Sequence, residues 1–154
     1  AALINERIAT AFESDSSGKA AIGHGYTYSG HPVGAAAALA AIAETRRLDV
    51  VTNAAARGTQ LYDGMVSLAG QYPVVGDVRG GHGLMTAMEL VADRETKTPI
   101  DGKLAIKMQK AAYQAGALIR VSGPNVILSP SLVIEEADID ITLNAVEEGL
   151  KAIS

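Results

Sequence analysis

The period of hydrophobic positions changes several times along this chain, and each change marks a predicted element. Ala1 to Ile4 is a short apolar run that reads as the end of a buried strand, and Asn5 to Glu13 reads as a helix with Ile8 and Phe12 on one side. Ser14-Asp15-Ser16-Ser17-Gly18-Lys19 is a polar connector that leads through Gly23 to the next segment. Pro32 to Arg46 predicts a helix with alanine on so many faces that it is expected to be well buried. Leu48 to Leu68 predicts another, with Val50, Ala54, Leu61, Met65 and Leu68 at helical spacing and Gly70 near its end.

After Tyr72-Pro73 the period shortens. Val74, Val75 and Val78 predict one strand, Gly80-Gly81-His82-Gly83 a turn, and Leu84 to Val91 a second strand, so a hairpin is the simplest topology. Asp93 to Gly102 is polar and contains Pro99, which predicts a loop, and Lys103 to Ala115 predicts a helix stopped by Gly116. Leu118 to Val121 and Val126 to Leu128 predict two short strands around Ser122-Gly123-Pro124-Asn125, a second hairpin. Ser129-Pro130-Ser131 breaks the chain before an amphipathic helix from Glu135 to Ile153, with Ile139, Leu143, Val146 and Leu150 on one side. The C-terminal two-thirds therefore reads as α+β.

Composition narrows the class. The 154 residues suit one domain, or a small domain with a piece of another, and 48% of them are apolar but only 4% aromatic, so aliphatic side chains must fill the core. A net charge of −4 offers no basic excess for nucleic acid or an acidic membrane. The absence of Cys removes disulfide frameworks, zinc–thiolate sites and thiol nucleophiles, and fits a cytoplasmic location. The longest apolar run, Val33 to Ala43, is too short to span a bilayer. The chain opens without Met in what reads as a strand, so a fragment, a processed product or part of a longer chain is expected.

Chemistry concentrates in Gly25-Tyr26-Thr27-Tyr28-Ser29-Gly30-His31-Pro32, a hydroxyl-rich segment at a predicted helix start. Unpaired N–H groups and a positive dipole end suit an anion there, and an ordinary capped helix entered through a polar loop suits the same pattern. Ser17-Gly18-Lys19 lacks the upstream glycine and the following hydroxyl of a nucleotide-binding loop. Gly80-Gly81-His82-Gly83 precedes a strand instead of the helix a dinucleotide requires, so it reads as a tight turn. His24, His31 and His82 lack metal-ligand spacing. Arg120, on a short strand beside a Gly-Pro turn, is either a carboxylate-binding fork or an ion-pair partner, and Arg79 reads as structural.

The Gly25-to-Pro32 segment resembles that of the class III, or omega, aminotransferases, which depend on pyridoxal 5′-phosphate. Val78-Arg79-Gly80, Gly83-Leu84-Met85 and Glu89-Leu90-Val91 resemble that family's small-domain hairpin. Leu118-Ile119-Arg120, Leu128-Ser129-Pro130 and Leu132-Val133 resemble its C-terminal substrate-facing segment. The resemblance covers nearly the whole chain but only the last third or so of a typical member.

It implies an α/β architecture of the PLP-dependent transferase fold type I. Residues 1–46 would be the C-terminal end of the large cofactor-binding domain with its linking helix, and residues 47–154 the small α+β domain. Thr27, with Tyr26 beside it, would reach the cofactor phosphate of the neighbouring subunit in a homodimer with shared active sites, and Arg120 would pair with the substrate carboxylate. The implied reaction moves an amino group from an amine or omega-amino acid to a keto acid such as pyruvate. The Schiff-base lysine and the aspartate facing the pyridine nitrogen are expected upstream, in the missing large domain, so no catalytic residue is assigned in this segment. Lys19, Lys97, Lys103, Lys107, Lys110 and Lys151 match none of the lysine motif. A non-catalytic interaction or assembly domain, or another class III enzyme such as a decarboxylase or an aminomutase, are the alternatives.

Overall fold

The computed structural model describes residues 3–20, 23 and 25–154. Two compact units are present, Ala1–Ala41 and Ile42–Ser154. In the first, α1 (Glu6–Glu13) begins where the extended Asn5 accepts the Ile8 N–H at 3.1 Å. It ends at Ser14, whose hydroxyl donates to the Thr10 carbonyl at 2.6 Å. Leu3 and Ile4 are exposed and in no regular element, which corrects the expected buried strand; the other half of that run, Ala1-Ala2, lies outside the described residues. A strand must pass its backbone hydrogen bonds to a neighbour, and these two residues have no strand partner among those described.

Helix α2 (Pro32–Arg47) forms where it is expected, but none of its residues is buried, and Val33 and Leu39 are 70% and 68% exposed. The expectation of burial fails because alanine on every face leaves no single apolar stripe for local packing to cover. Asp49, in the left-handed region at φ 45°, separates α2 from α3 (Val50–Gln71), which runs beyond the expected Leu68. Its inner side carries Gly58, Leu61, Met65 and Leu68, all buried.

The second unit is an antiparallel sheet with α3 packed on β1 and β2 and α4 (Gly102–Gln114) packed on β4, while α5 (Glu136–Lys151) packs on α3 and α4. Strand order is β1 (Val75–Arg79), β2 (Thr86–Asp93), β5 (Asn125–Leu128), β4 (Arg120–Ser122), so both predicted hairpins form and their second strands lie side by side. The expected loop before α4 contains a two-residue strand, β3 (Thr98–Pro99), paired with the far end of β2. Proline is tolerated there because an edge strand need not donate. In the β4–β5 turn Gly123 takes φ 58°, a value two-residue hairpins reserve for glycine.

Register sorts the sheet into two faces. Val78, Met88, Val126 and Val121 form one cross-strand row turned to the helices, with Met88 and Val126 fully buried. The neighbouring rows, Asp77-Glu89-Asn125-Ser122 and Arg79-Ala87-Ile127-Arg120, belong to the opposite face. Leu61, Met65, Leu90, Met108, Ile119, Ile139 and Leu150 complete an aliphatic core without an aromatic centre. No helix among the described residues is long and apolar enough to cross a membrane.

Candidate functional site

The hydroxyl-rich segment is folded by its own side chains. Ser29 accepts the Tyr26 N–H on its hydroxyl at 3.0 Å and returns its own N–H to the Tyr26 carbonyl at 2.9 Å. Gly30 supplies φ 73°, which lets His31 donate to the Tyr28 carbonyl at 3.1 Å and turn the chain into α2. The His31 ring caps the helix: its Nδ1 accepts the Gly34 N–H at 3.3 Å, and Tyr28 meets the same ring edge-on at 5.7 Å. Tyr26 and Thr27 are exposed, and the first turn of α2 contains no acidic residue. The donor set is hydroxyls, peptide N–H groups and a positive helix end, a combination suited to an anion.

Arg120 lies in the second unit, on the edge strand β4, in the same cross-strand row as Arg79. The two arginines differ in their surroundings. Arg79 Nη1 donates to Glu89 at 2.9 Å and Asp77 at 3.1 Å, and Nη2 to Asn125 Oδ1 at 2.6 Å. The bonds to Glu89 and then Asp77 hold its guanidinium above the ordinary arginine range. Arg120 is exposed and has no ion pair or side-chain hydrogen bond among the described residues. It lines a cavity of about 310 Å³ with the Gly116–Leu118 bend, Ser129-Pro130 and the start of α5. An arginine without a protein partner beside a cavity can accept a carboxylate in its bidentate fork.

The other motifs resolve as structure. Asp15 organises Ser14 to Lys19, accepting the Ser17 N–H at 3.0 Å and the Ala20 N–H at 2.6 Å, and Gly18 turns at φ 70°. The Ser17 hydroxyl, first, and these backbone donors lower the Asp15 carboxyl to about 2. Gly80, Gly81 and Gly83 all take positive φ in the bend of residues 80–85 that joins β1 to β2, longer than the tight turn expected, and His82 is exposed. All six lysines are exposed, and Lys151 pairs with Glu147 and Glu148. His24 lies outside the described residues.

Sequence reasoning missed three features. The carboxylates that neutralise Arg79 were legible in principle, because period-2 alternation puts Asp77 and Arg79 on one face. Arg94, whose guanidinium gathers the carbonyls of Ala69, Tyr72 and Val75, and Gln109, whose amide reaches the Ile119 carbonyl, had no signal, since each partner is backbone.

The class-III aminotransferase family profile matches residues 1–150. An uncharacterised aminotransferase of Sinorhizobium fredii is 34% identical over 99% of this chain and 33% of its own length. The taurine–pyruvate aminotransferase of Bilophila wadsworthia is 37% identical over 82% of this chain and 29% of its own. Among solved structures, a PLP-bound amine transaminase from an uncultivated Pseudomonas species matches with a TM-score of 0.89 and 39% identity, over 99% of this chain and 34% of that one. The chain therefore belongs to the class-III aminotransferase family, and its mixed α/β architecture is that of the fold type I transaminases. It spans about one third of the length of the curated relatives it matches.

Proposed function

We propose that this chain forms the C-terminal part of a PLP-dependent transaminase that moves an amino group from an amine or omega-amino acid to a keto acid such as pyruvate. The observation that carries this reading is the family match over residues 1–150, together with the likeness to a PLP-bound amine transaminase along almost the whole chain. In this reading residues 1–46 finish the large cofactor-binding domain and residues 47–154 are the small domain. The enzyme is a cytoplasmic homodimer, a location that the cysteine-free composition supports.

The residues present suit the cofactor. A phosphate dianion needs donors and a positive field, and the turn into α2 offers the exposed Thr27 hydroxyl with Tyr26 beside it and no carboxylate in the first helical turn. Thr27 donates to the phosphate held by the partner subunit, and Tyr26 flanks it. When bound, pyridoxal phosphate supplies the electron sink for moving an amino group between two substrates. Arg120 orients the acceptor by pairing with its carboxylate, and its lack of a protein partner leaves it able to move aside for an amine that has none.

Two substitutions test the assignments in the holoenzyme. Thr27→Ala is expected to weaken cofactor retention on dialysis, followed by the absorbance of the bound cofactor; unchanged retention refutes the role. Arg120→Ala is expected to raise KM for pyruvate far more than for a neutral aldehyde acceptor, and an equal effect on both refutes carboxylate recognition. Product analysis with several amine donors separates transamination from decarboxylation and amine migration.

A further inference from the structure

We infer that Gln109 is a positioning residue for Arg120, acting through the peptide that joins Arg120 to Ile119. This rests on the reading that Arg120 receives the acceptor carboxylate.

The strand that bears Arg120 is weakly defined by the sheet alone. β4 has three residues, lies at the edge and among the described residues pairs only with β5, so one side of its backbone faces no other described strand. The guanidinium has no ion pair or side-chain hydrogen bond among the described residues, so no polar partner fixes its direction. The backbone then sets where the side chain starts and the direction of its Cα–Cβ bond, while its own torsions leave the guanidinium able to move. The Ile119 carbonyl and the Arg120 N–H share one planar peptide unit, so whatever grips that carbonyl also sets the plane from which Arg120 departs.

Gln109 provides that grip. From the middle of α4 its Nε2 donates to the Ile119 carbonyl at 2.8 Å, across the bend through which the chain returns to the sheet. The bend is itself fixed by Gly116 at φ 108° and by the Ala117 N–H donating to the Ala112 carbonyl at 3.0 Å. On the other side of the same peptide the Ile119 side chain is 1% exposed, locked in the core. Side chain and carbonyl of Ile119 are thus both held, and Arg120, the next residue, is exposed. Gln109 touches no substrate in this arrangement; it acts on the angle at which the guanidinium is presented.

The test uses the holoenzyme with Gln109→Met, which keeps the length of the side chain and removes the donor, and Gln109→Glu, which keeps the shape and turns the donor into an acceptor at neutral pH. For both, KM for pyruvate is expected to rise about tenfold, the size expected when a charged hydrogen bond is misaligned instead of abolished, with KM and kcat for a neutral aldehyde unchanged. Competitive inhibition by propionate, a carboxylate that cannot react, is expected to weaken by the same factor. A variant that only loosens the fold would impair turnover of both acceptors together, and that result, or no change, overturns the inference. Arg120→Ala in parallel separates the two claims. Loss of acceptor discrimination there without loss in the Gln109 variants refutes positioning alone, whereas an Arg120→Ala enzyme whose KM rises equally for both acceptors refutes the carboxylate reading and this inference with it.

Discussion

Arg79 and Arg120 stand at opposite ends of one cross-strand row, separated by Ala87 and Ile127, yet only Arg79 is neutralised. Arg79 ties β1 to β2 through Glu89 and to β5 through Asn125. Because its side chain is 49% exposed, solvent screens these contacts, and Arg79→Met is expected to cost about 1 kcal/mol in urea denaturation. Arg120→Met removes no ion pair or side-chain hydrogen bond among the described residues and is expected to change stability by less than about 0.5 kcal/mol. Equal losses in the two variants would contradict the division of labour between a structural and an available arginine.

Gly58 is the point at which α3 meets the turn between β1 and β2. A Cβ there would meet the carbonyl of Gly83, backbone that cannot swing aside as a side chain would. Gly58→Ala is expected to destabilise by about 1 to 3 kcal/mol, as overpacking does. Gly70, later in the same helix, has nothing within 4 Å of the place a Cβ would take, and Gly70→Ala is expected to stabilise by up to about 1 kcal/mol. Opposite signs from one helix in thermal denaturation would locate the effect in the contact with Gly83, not in helix propensity.

These contrasts also show how far the sequence could be read. The elements that bury one side announce themselves by period: Leu61, Met65 and Leu68 in α3, and Val78 facing Met88 across the first hairpin. Turns are legible where glycine is obligatory, at Gly80 to Gly83 and Gly123. The exposure of α2 is not legible because alanine is compatible with both a packed and an exposed helix, and that of Leu3-Ile4 because an apolar run says nothing about whether a partner strand exists. Thr27, Tyr26 and Arg120 are candidates by pattern but receive a definite role only by resemblance, since hydroxyls and a strand-end arginine are individually common. Gln109 stays hidden because its partner is a carbonyl, which every residue possesses.

Arg94 illustrates the same point with a larger expected effect. Directly after β2, its Nε donates to the Val75 carbonyl at 2.7 Å and Nη2 to the Tyr72 carbonyl at 3.1 Å and to that of Ala69. Ala69 lies in the last turn of α3, where carbonyls lack helical partners and the dipole favours a cation. Arg94→Met is expected to cost about 2 kcal/mol in chemical denaturation. Arg94→Lys is expected to recover less than half of that, because an ammonium cannot span three carbonyls with a planar fork.

The Asp15 loop gives a prediction with a defined pH sign. Its carboxylate accepts from the Ser17 hydroxyl, the Ser17 N–H and the Ala20 N–H, and its pKa is lowered from 3.8 to about 2. A depressed acid favours the ordered loop while it is ionised. The contribution is fully present above the unfolded value and lost as pH falls through the folded one, so order in Ser14 to Lys19 is expected to fade between about pH 4 and pH 2. Carboxyl-detected NMR titration should place the Asp15 midpoint near 2, and Ser17→Ala should move it upward by removing the largest single cause. A midpoint near 3.8 in the unmodified chain would mean that these hydrogen bonds do not persist in solution.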